Sequence, residues 1–541
     1  MRRLNLVFCM CLALAPAIPA WAQTEQHDHT AKTGAIKAGT VNFETSCSPA
    51  VKADFNLAVA ELHSFWFPEA RALFEGILTK DPDCAIAYWG IALTHWGNPF
   101  AGQRSQQTIA SGKAAIDKAQ STGRPTAREK GYIDAVAVLF SNNDVATQRS
   151  RVVAYEGTTE LVASQNPNDM EARIFWALAI AQTALPSDKT FAQNLRAAEI
   201  LEPLYAKHPN HPGLAHYIIH AYDVPALAAK ALPAARAYAD IAPSVPHALH
   251  MPSHTFTRVG EWKASVETNI RSADEADKTG GGMGEGLHAR DYMTYGYLQM
   301  AMDTQARAIV DHAQAVASKV PPAGSPAGGA NSFALAAIPA RYAMERQQWA
   351  DAAKLAPSAA PNTPYTEAIT YFARAIGAAR SGKPDDAKAD IAKLAEIHKR
   401  ELDMKDAYWA EQVDIQRRVA EAWVLFAEGK QDDAIKALAA TADAEDATDK
   451  AAVTPGPLAP ARELLGFMLL EAGRPKEALV AFDATIKKEP NRFLGLYGAG
   501  KAAEALKQTT RAKGYYKQLV AICKDAGSER PELAHARKMA N

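Results

Sequence analysis

The sequence predicts an all-α protein wound as a solenoid of paired helices, in two segments. Three observations predict it. Ala-rich stretches with apolar residues at helical spacing dominate, hydrophobic residues make up 48% of the chain, and period-two runs of Val, Ile and Thr are missing. Small and aromatic residues recur at an interval of 34, the length of one helix–turn–helix unit in a known class of repeat. At 541 residues the chain is too long for one compact core but ordinary for a solenoid or two domains.

Residues 1–22 read as a secretory leader. Arg2 and Arg3 supply the positive end, Leu4 opens the apolar stretch, and Ala20-Trp21-Ala22 offers a small-x-small cleavage site after Ala22. The apolar stretch is too short to span a bilayer, and no later apolar segment reaches that spanning length without charges. This predicts an exported, periplasmic or secreted protein with no membrane span. Residues 23–46 read as a disordered tail. His27 and His29 there bind Cu(II) loosely at most; a solvated tail is the plainer reading. The formal net charge is −1, and −3 once the two leader arginines are gone. That balance gives no basic stripe for nucleic acid.

The first unit carries Leu57, Ala70, Phe74 and Pro82 and is followed by a helix opening at Ala85. Cys47 precedes its first helix and Cys84 follows its second. Those ends are neighbours in an antiparallel pair, so a disulfide is expected between them. Closing that loop stabilises by roughly 3–4 kcal/mol on a chain-entropy argument. Cys523 sits on an apolar helical stripe and reads as a small buried hydrophobe. Pro209 and Pro243 end two central units. At the C-terminal end Gly466, Ala478, Phe482 and Pro490 are matched by Gly500, Ala512 and Tyr516. This pattern resembles the tetratricopeptide-repeat (TPR) consensus: a small residue in the first helix, Ala and an aromatic in the second, a Pro ending the unit. Degenerate units are visible around Ala306, Ala352, Ala387 and Ala434. Pro, Gly and Ser interrupt the array at residues 321–332, 356–364 and 440–460. The first interruption divides an N-terminal solenoid, 47–320, from a C-terminal one, 333–541.

Eight of the fifteen histidines fall between His208 and His288, and His216 and His220 are followed 34 residues later by His250 and His254. Each pair is spaced i,i+4 and shares one helix face. His247, His250 and His254 lie at relative angles of about 0°, 300° and 340° at 3.6 residues per turn. The TPR resemblance implies that the second, fifth and ninth places of each first helix line a concave groove. Those places read Gly213, His216, His220; then His247, His250, His254; then His288, Asp291, Tyr295. Adjacent helices pack about 8–10 Å apart, a gap that facing imidazoles can bridge through an ion. Pro252 complicates the second helix, which is either kinked there or starts there.

The expectation is a metal ion held at one shared point by His216, His220, His250 and His254, with His247, His288 and Asp291 in support, for metal handling, sensing or metal-dependent activity. Zn, Cu, Fe and Ni all suit such donors. The alternative is a metal-free scaffold that binds a peptide or protein partner in the groove. Tyr295, Trp89, Trp96 and His63 extend the ligand surface in either case, although core packing is the plainer reading of Trp96. The Gly-rich run at residues 279–286 lacks the Lys-Ser/Thr of a phosphate loop and reads as an inserted loop covering His254 and His288. The segments PHALHMPSHTFTRVGEW, HPGLAHYIIHAYDVP and AYWGIALTHWGNPF together resemble a group of exported bacterial TPR proteins. That resemblance implies the fold and the groove as working surface, and it brings no catalytic residues with it. Whether the protein is an enzyme is left open.

Overall fold

Helix starts in this chain are set by proline and by short polar caps. Proline opens Phe67–Lys80, Pro212–Ala221, Pro246–His250, Pro364–Arg380 and Pro475–Lys488, where its missing N–H has no helical partner to lose. Thr126 forms a capping box with Glu129, and Asp169 accepts from Ala172 N at 3.2 Å to open Met170–Thr183. In the computed structural model, which describes residues 36–279, 283–319, 328–527 and 530–540, these helices run in pairs. Lys52–His63 packs on Phe67–Lys80, that helix on Ala85–Trp96, and so on to Phe493–Ala505 and Thr509–Ile522. Each pair stacks on the next, and no strand occurs among the described residues. The fold is an all-α solenoid.

The 34-residue interval has a visible physical cause. A Cβ on Gly466 would sit 2.7 Å from the Phe482 ring, and one on Gly500 would sit 2.4 Å from Tyr516. Only glycine lets the aromatic of the second helix lie directly on the backbone of the first, so the two residue types recur in step. The disulfide forms between Cys47 and Cys84, whose Cα atoms are 4.9 Å apart. Cys523 is buried, and burial pushes its thiol up to about 12.

Lys37–Asn541 is one compact unit, and the C-terminal pairs fold back onto the N-terminal ones. Arg492, fully buried, pairs with Glu345 at 2.7 Å and Glu463 at 2.8 Å and donates to the Tyr295 hydroxyl at 2.9 Å. Trp262 Nε1 donates to Asn491 O at 2.7 Å, and Phe493 N to Gln299 Oε1 at 2.8 Å. Among the described residues no helix is long and apolar enough to cross a membrane.

Three expectations need correction or delimiting. The leader, the first part of the expected tail with His27 and His29, residues 280–282 of the Gly-rich run and residues 320–327 at the expected segment boundary lie outside the described residues. Residues 36–46, expected to be disordered, form an extended strap. Ala38, Val41 and Phe43 bury themselves, Thr40 N donates to Asn210 O at 2.9 Å, and Phe43 N donates to Asn56 Oδ1 at 2.9 Å. Those three buried apolar side chains supply the burial that a disordered tail lacks. The stretch 440–460 is not all linker: helix Gln431–Ala447 runs through its first part, and residues 448–460 then cross the histidine-bearing face.

Candidate metal centre

Two proline-opened helices deliver the central histidines. His216 stands four residues after Pro212, and His250 four after Pro246, which reproduces the repeat register in space. Pro252 splits the second helix into Pro246–His250 and Pro252–Val259. Met251 between them keeps right-handed helical angles (φ −53°, ψ −35°), and His254 N reaches back to Met251 O at 3.1 Å. The helix is therefore entered at Pro246 and broken at Pro252, and His250 and His254 stay on one side of it.

The rings gather into two triads, His216/His220/His247 and His250/His254/His288, in each of which one ligating nitrogen per ring lies within 4.8 Å of the others. The four central histidines expected to meet at one point are divided between them. Burial is deep: His216 and His250 are 0% exposed, His254 2%, and His220 and His247 7%. Phe100 stacks on His220 at 4.1 Å, and the Phe65 ring lies 4.4 Å from that of His216.

Hydrogen bonds assign the protons. His250 Nδ1 faces Asn269 Oδ1 at 2.7 Å, and the Asn269 amide nitrogen is committed to Ser265 O at 2.7 Å, so Nδ1–H is the donor. His254 Nδ1 donates to Asp223 Oδ2 at 2.9 Å. In neutral rings both Nε2 atoms then carry lone pairs, and those lone pairs face each other at 3.0 Å. Tyr292 does not fill the gap. Its hydroxyl is 3.4 Å from His254 Nε2 and lies nearer the carbonyls of Ala452 and Thr454, each at 3.1 Å. In the other triad His216 Nδ1 donates to His63 O at 2.6 Å, and His216 Nε2 lies 3.0 Å from His220 Nε2. His247 Nδ1 faces Glu285 Oε2 at 3.3 Å, while its buried Nε2 has no hydrogen-bond partner among the described residues.

Burial, with the fields of neighbouring imidazoles, holds His216, His220 and His250 well below the ordinary imidazole range. Burial also brings His254 down to about 4, against the opposing pull of Asp223, and His288 down to about 3. A shared proton is thus a poor occupant of the gap between the nitrogens. Burial works to raise the Asp223 carboxyl, but Lys450 and Arg258 hold it well below the carboxylate range. Its oxygens meet Arg258 Nε at 2.9 Å and Lys450 Nζ at 3.4 Å. Burial lowers the Lys450 ammonium to about 8, with Asp223 opposing.

Other expected site residues stand elsewhere. Asp291 belongs to a fully buried pair with Arg341, at 2.8 Å, and is in neither triad. Tyr295 is fully buried between Trp262 and the guanidinium groups of Arg341 and Arg492. Trp89 is core, wrapped by Phe43, Tyr132 and Phe175, and Trp96 packs on Phe140 under Arg104. His63 joins a separate cluster: its Nε2 meets Glu171 at 2.8 Å, and His211 meets the same carboxylate at 2.9 Å. Sequence reading missed Asp223, Glu285, Asn269, Lys450 and Tyr292. Asp223 follows His220 by three residues and Glu285 precedes His288 by three, so helical proximity was their available signal. The Gly-rich run is not all inserted loop, because the helix Met283–Gln299 begins within it and carries Glu285.

No family model matches the chain, and no curated protein matches it. Similar solved structures include a monomeric IFIT1 mutant with m7Gppp-AAAA and another with Gppp-AAAA. Each is 10% identical, covers 81% of this chain and 90% of that chain, and has a TM-score of 0.32. An overlap that loose adds nothing to the fold argued from helix pairing, and no ligand is carried over from it.

Proposed function

We propose that this solenoid is an exported metal-binding protein whose histidine cluster holds a transition-metal ion, with His250, His254 and His288 as its best-defined donor set. One observation carries the reading: the Nε2 lone pairs of His250 and His254 meet at 3.0 Å while both Nδ1 protons are committed elsewhere. Two such nitrogens repel unless a cation lies between them. Nitrogens bound to one ion at about 2.0–2.1 Å are roughly 2.9 Å apart at a right angle and roughly 3.4 Å apart at the tetrahedral angle. The observed spacing falls inside that interval. Asp223 and Asn269 behind the rings fix the tautomer, as outer partners of metal-bound histidines do. All-imidazole donors suit Zn, Cu or Ni, and Fe with added oxygen ligands. The Cys47–Cys84 bridge supports the export reading, since such bonds persist in oxidising compartments.

The metal-free alternative, a partner segment held in the groove, needs residues 448–460 to leave. They cover the histidine face through Lys450, Ala452 and Thr454. The test is a titration of chelator-stripped protein with Zn or Cu at micromolar concentration, read by thermal unfolding. The proposal expects a rise in Tm that a His216→Ala/His220→Ala/His250→Ala/His254→Ala variant lacks. No shift and no retained metal in the native sequence overturns it.

A further inference from the structure

We infer that the second triad, His216, His220 and His247, holds a second ion beside the first, making the cluster a two-ion centre whose inner faces take an oxygen-donor anion such as hydroxide. The inference rests on the metal reading of the neighbouring triad, but its geometry is its own. His216 spends its Nδ1 proton on the His63 carbonyl, which leaves its Nε2 lone pair directed at His220 Nε2 at 3.0 Å. A proton on His220 Nε2 is able to close that one gap. It leaves the buried Nε2 of His247, whose Nδ1 faces Glu285, with no hydrogen-bond partner among the described residues. A cation satisfies all three nitrogens together.

One ion does not serve both triads. Ring centroids are 4.7 Å apart for His216–His220, 5.2 Å for His216–His247, 5.0 Å for His250–His254 and 4.3 Å for His250–His288, whereas across the seam they are 6.1 Å apart for His220–His254 and 6.2 Å for His247–His250. Three protein donors leave a coordination position open on each ion, and the two triads are neighbours across the His220–His254 and His247–His250 seam. Charge then names the ligand class. Two divalent ions bring four positive charges against the two carboxylates touching the rings, Asp223 and Glu285. Asp223 is already faced by Arg258 and Lys450. Burying that excess without an anion is prohibitive, so a small oxygen-donor anion between the ions completes the site.

The experiment loads chelator-stripped protein with Cu(II), removes free copper, and counts copper per chain together with its electron paramagnetic resonance spin. The native sequence is expected to hold two coppers with a spin count well below two, because anion-bridged neighbours couple magnetically. His216→Gln/His220→Gln and His250→Gln/His254→Gln are each expected to hold one copper with one full spin, and circular dichroism checks that both stay helical. His247→Gln is a milder variant that should weaken one copper of the two. One copper in the native protein, lost from either double variant, overturns the second ion and leaves the metal reading standing. Two coppers with full uncoupled spin overturn the shared anion. No copper at all overturns the metal reading itself.

Discussion

Two buried histidine clusters lie side by side in this molecule and are built on opposite plans. In one, Glu171 sits between His63 and His211 and takes an N–H from each, at 2.8 and 2.9 Å, while the Tyr217 hydroxyl meets the other nitrogen of His63 at 2.9 Å. Burial works to raise the Glu171 carboxyl, but the two imidazoles hold it below its ordinary range. In the other cluster the carboxylates Asp223 and Glu285 lie behind the rings, and the lone pairs face inward. The first closes its hydrogen bonds on its own carboxylate. The second is left asking for a cation. Both are built from histidines and carboxylates, so proton placement, more than residue type, separates the hydrogen-bonded network from the proposed metal centre.

The largest effect that sharpens this contrast is metal loading. With free metal at a thousand times its Kd, the folded state gains about 4 kcal/mol per site, seen as a rise in Tm that a chelator reverses. Glu171→Gln should leave metal content unchanged, whereas His250→Ala/His254→Ala should lower it; loss of metal in Glu171→Gln would break the contrast. Next comes Asp223→Asn, which weakens the acceptor that orients His254. Metal affinity should fall about 10–100-fold in competition with a chromophoric chelator. An unchanged affinity would remove Asp223 from the account. Glu171→Gln should itself cost about 1–3 kcal/mol in denaturant unfolding, because one buried N–H loses its acceptor. The smallest effect is acid sensitivity of the metal-free protein. His254 is depressed to about 4 in the folded state, so the unfolded chain binds its proton first as pH falls below 6.5. Stability is then complete above that value and declines as pH falls toward 4, by about 0.7 kcal/mol between pH 7 and 6 for this one ring. Bound metal should delay the decline, and identical pH profiles with and without metal would contradict the assignment.

Periodicity made the solenoid legible. Gly466, Phe482, Gly500 and Tyr516 mark close backbone–ring contacts that recur with the repeat, and Cys47 and Cys84 mark the ends of one helix pair. The i,i+4 histidines were legible for the same reason. Sharing a stripe with His288 did not bring a residue to the rings. Asp291 and Tyr295, three and seven residues beyond it, are claimed by Arg341 and Arg492. Tyr292, one turn beyond His288, is the residue that touches the rings. Lys450 was beyond reach of local reasoning, since its position depends on a segment returning across 227 residues to meet Asp223.

Elemental analysis of the untagged protein, purified without chelators, decides whether the inward-facing imidazole lone pairs hold metal. At least one transition-metal ion per chain is expected, reduced in His250→Ala/His254→Ala and unaffected by Glu171→Gln. A native protein that emerges metal-free and takes up neither Zn nor Cu at micromolar concentration would contradict it.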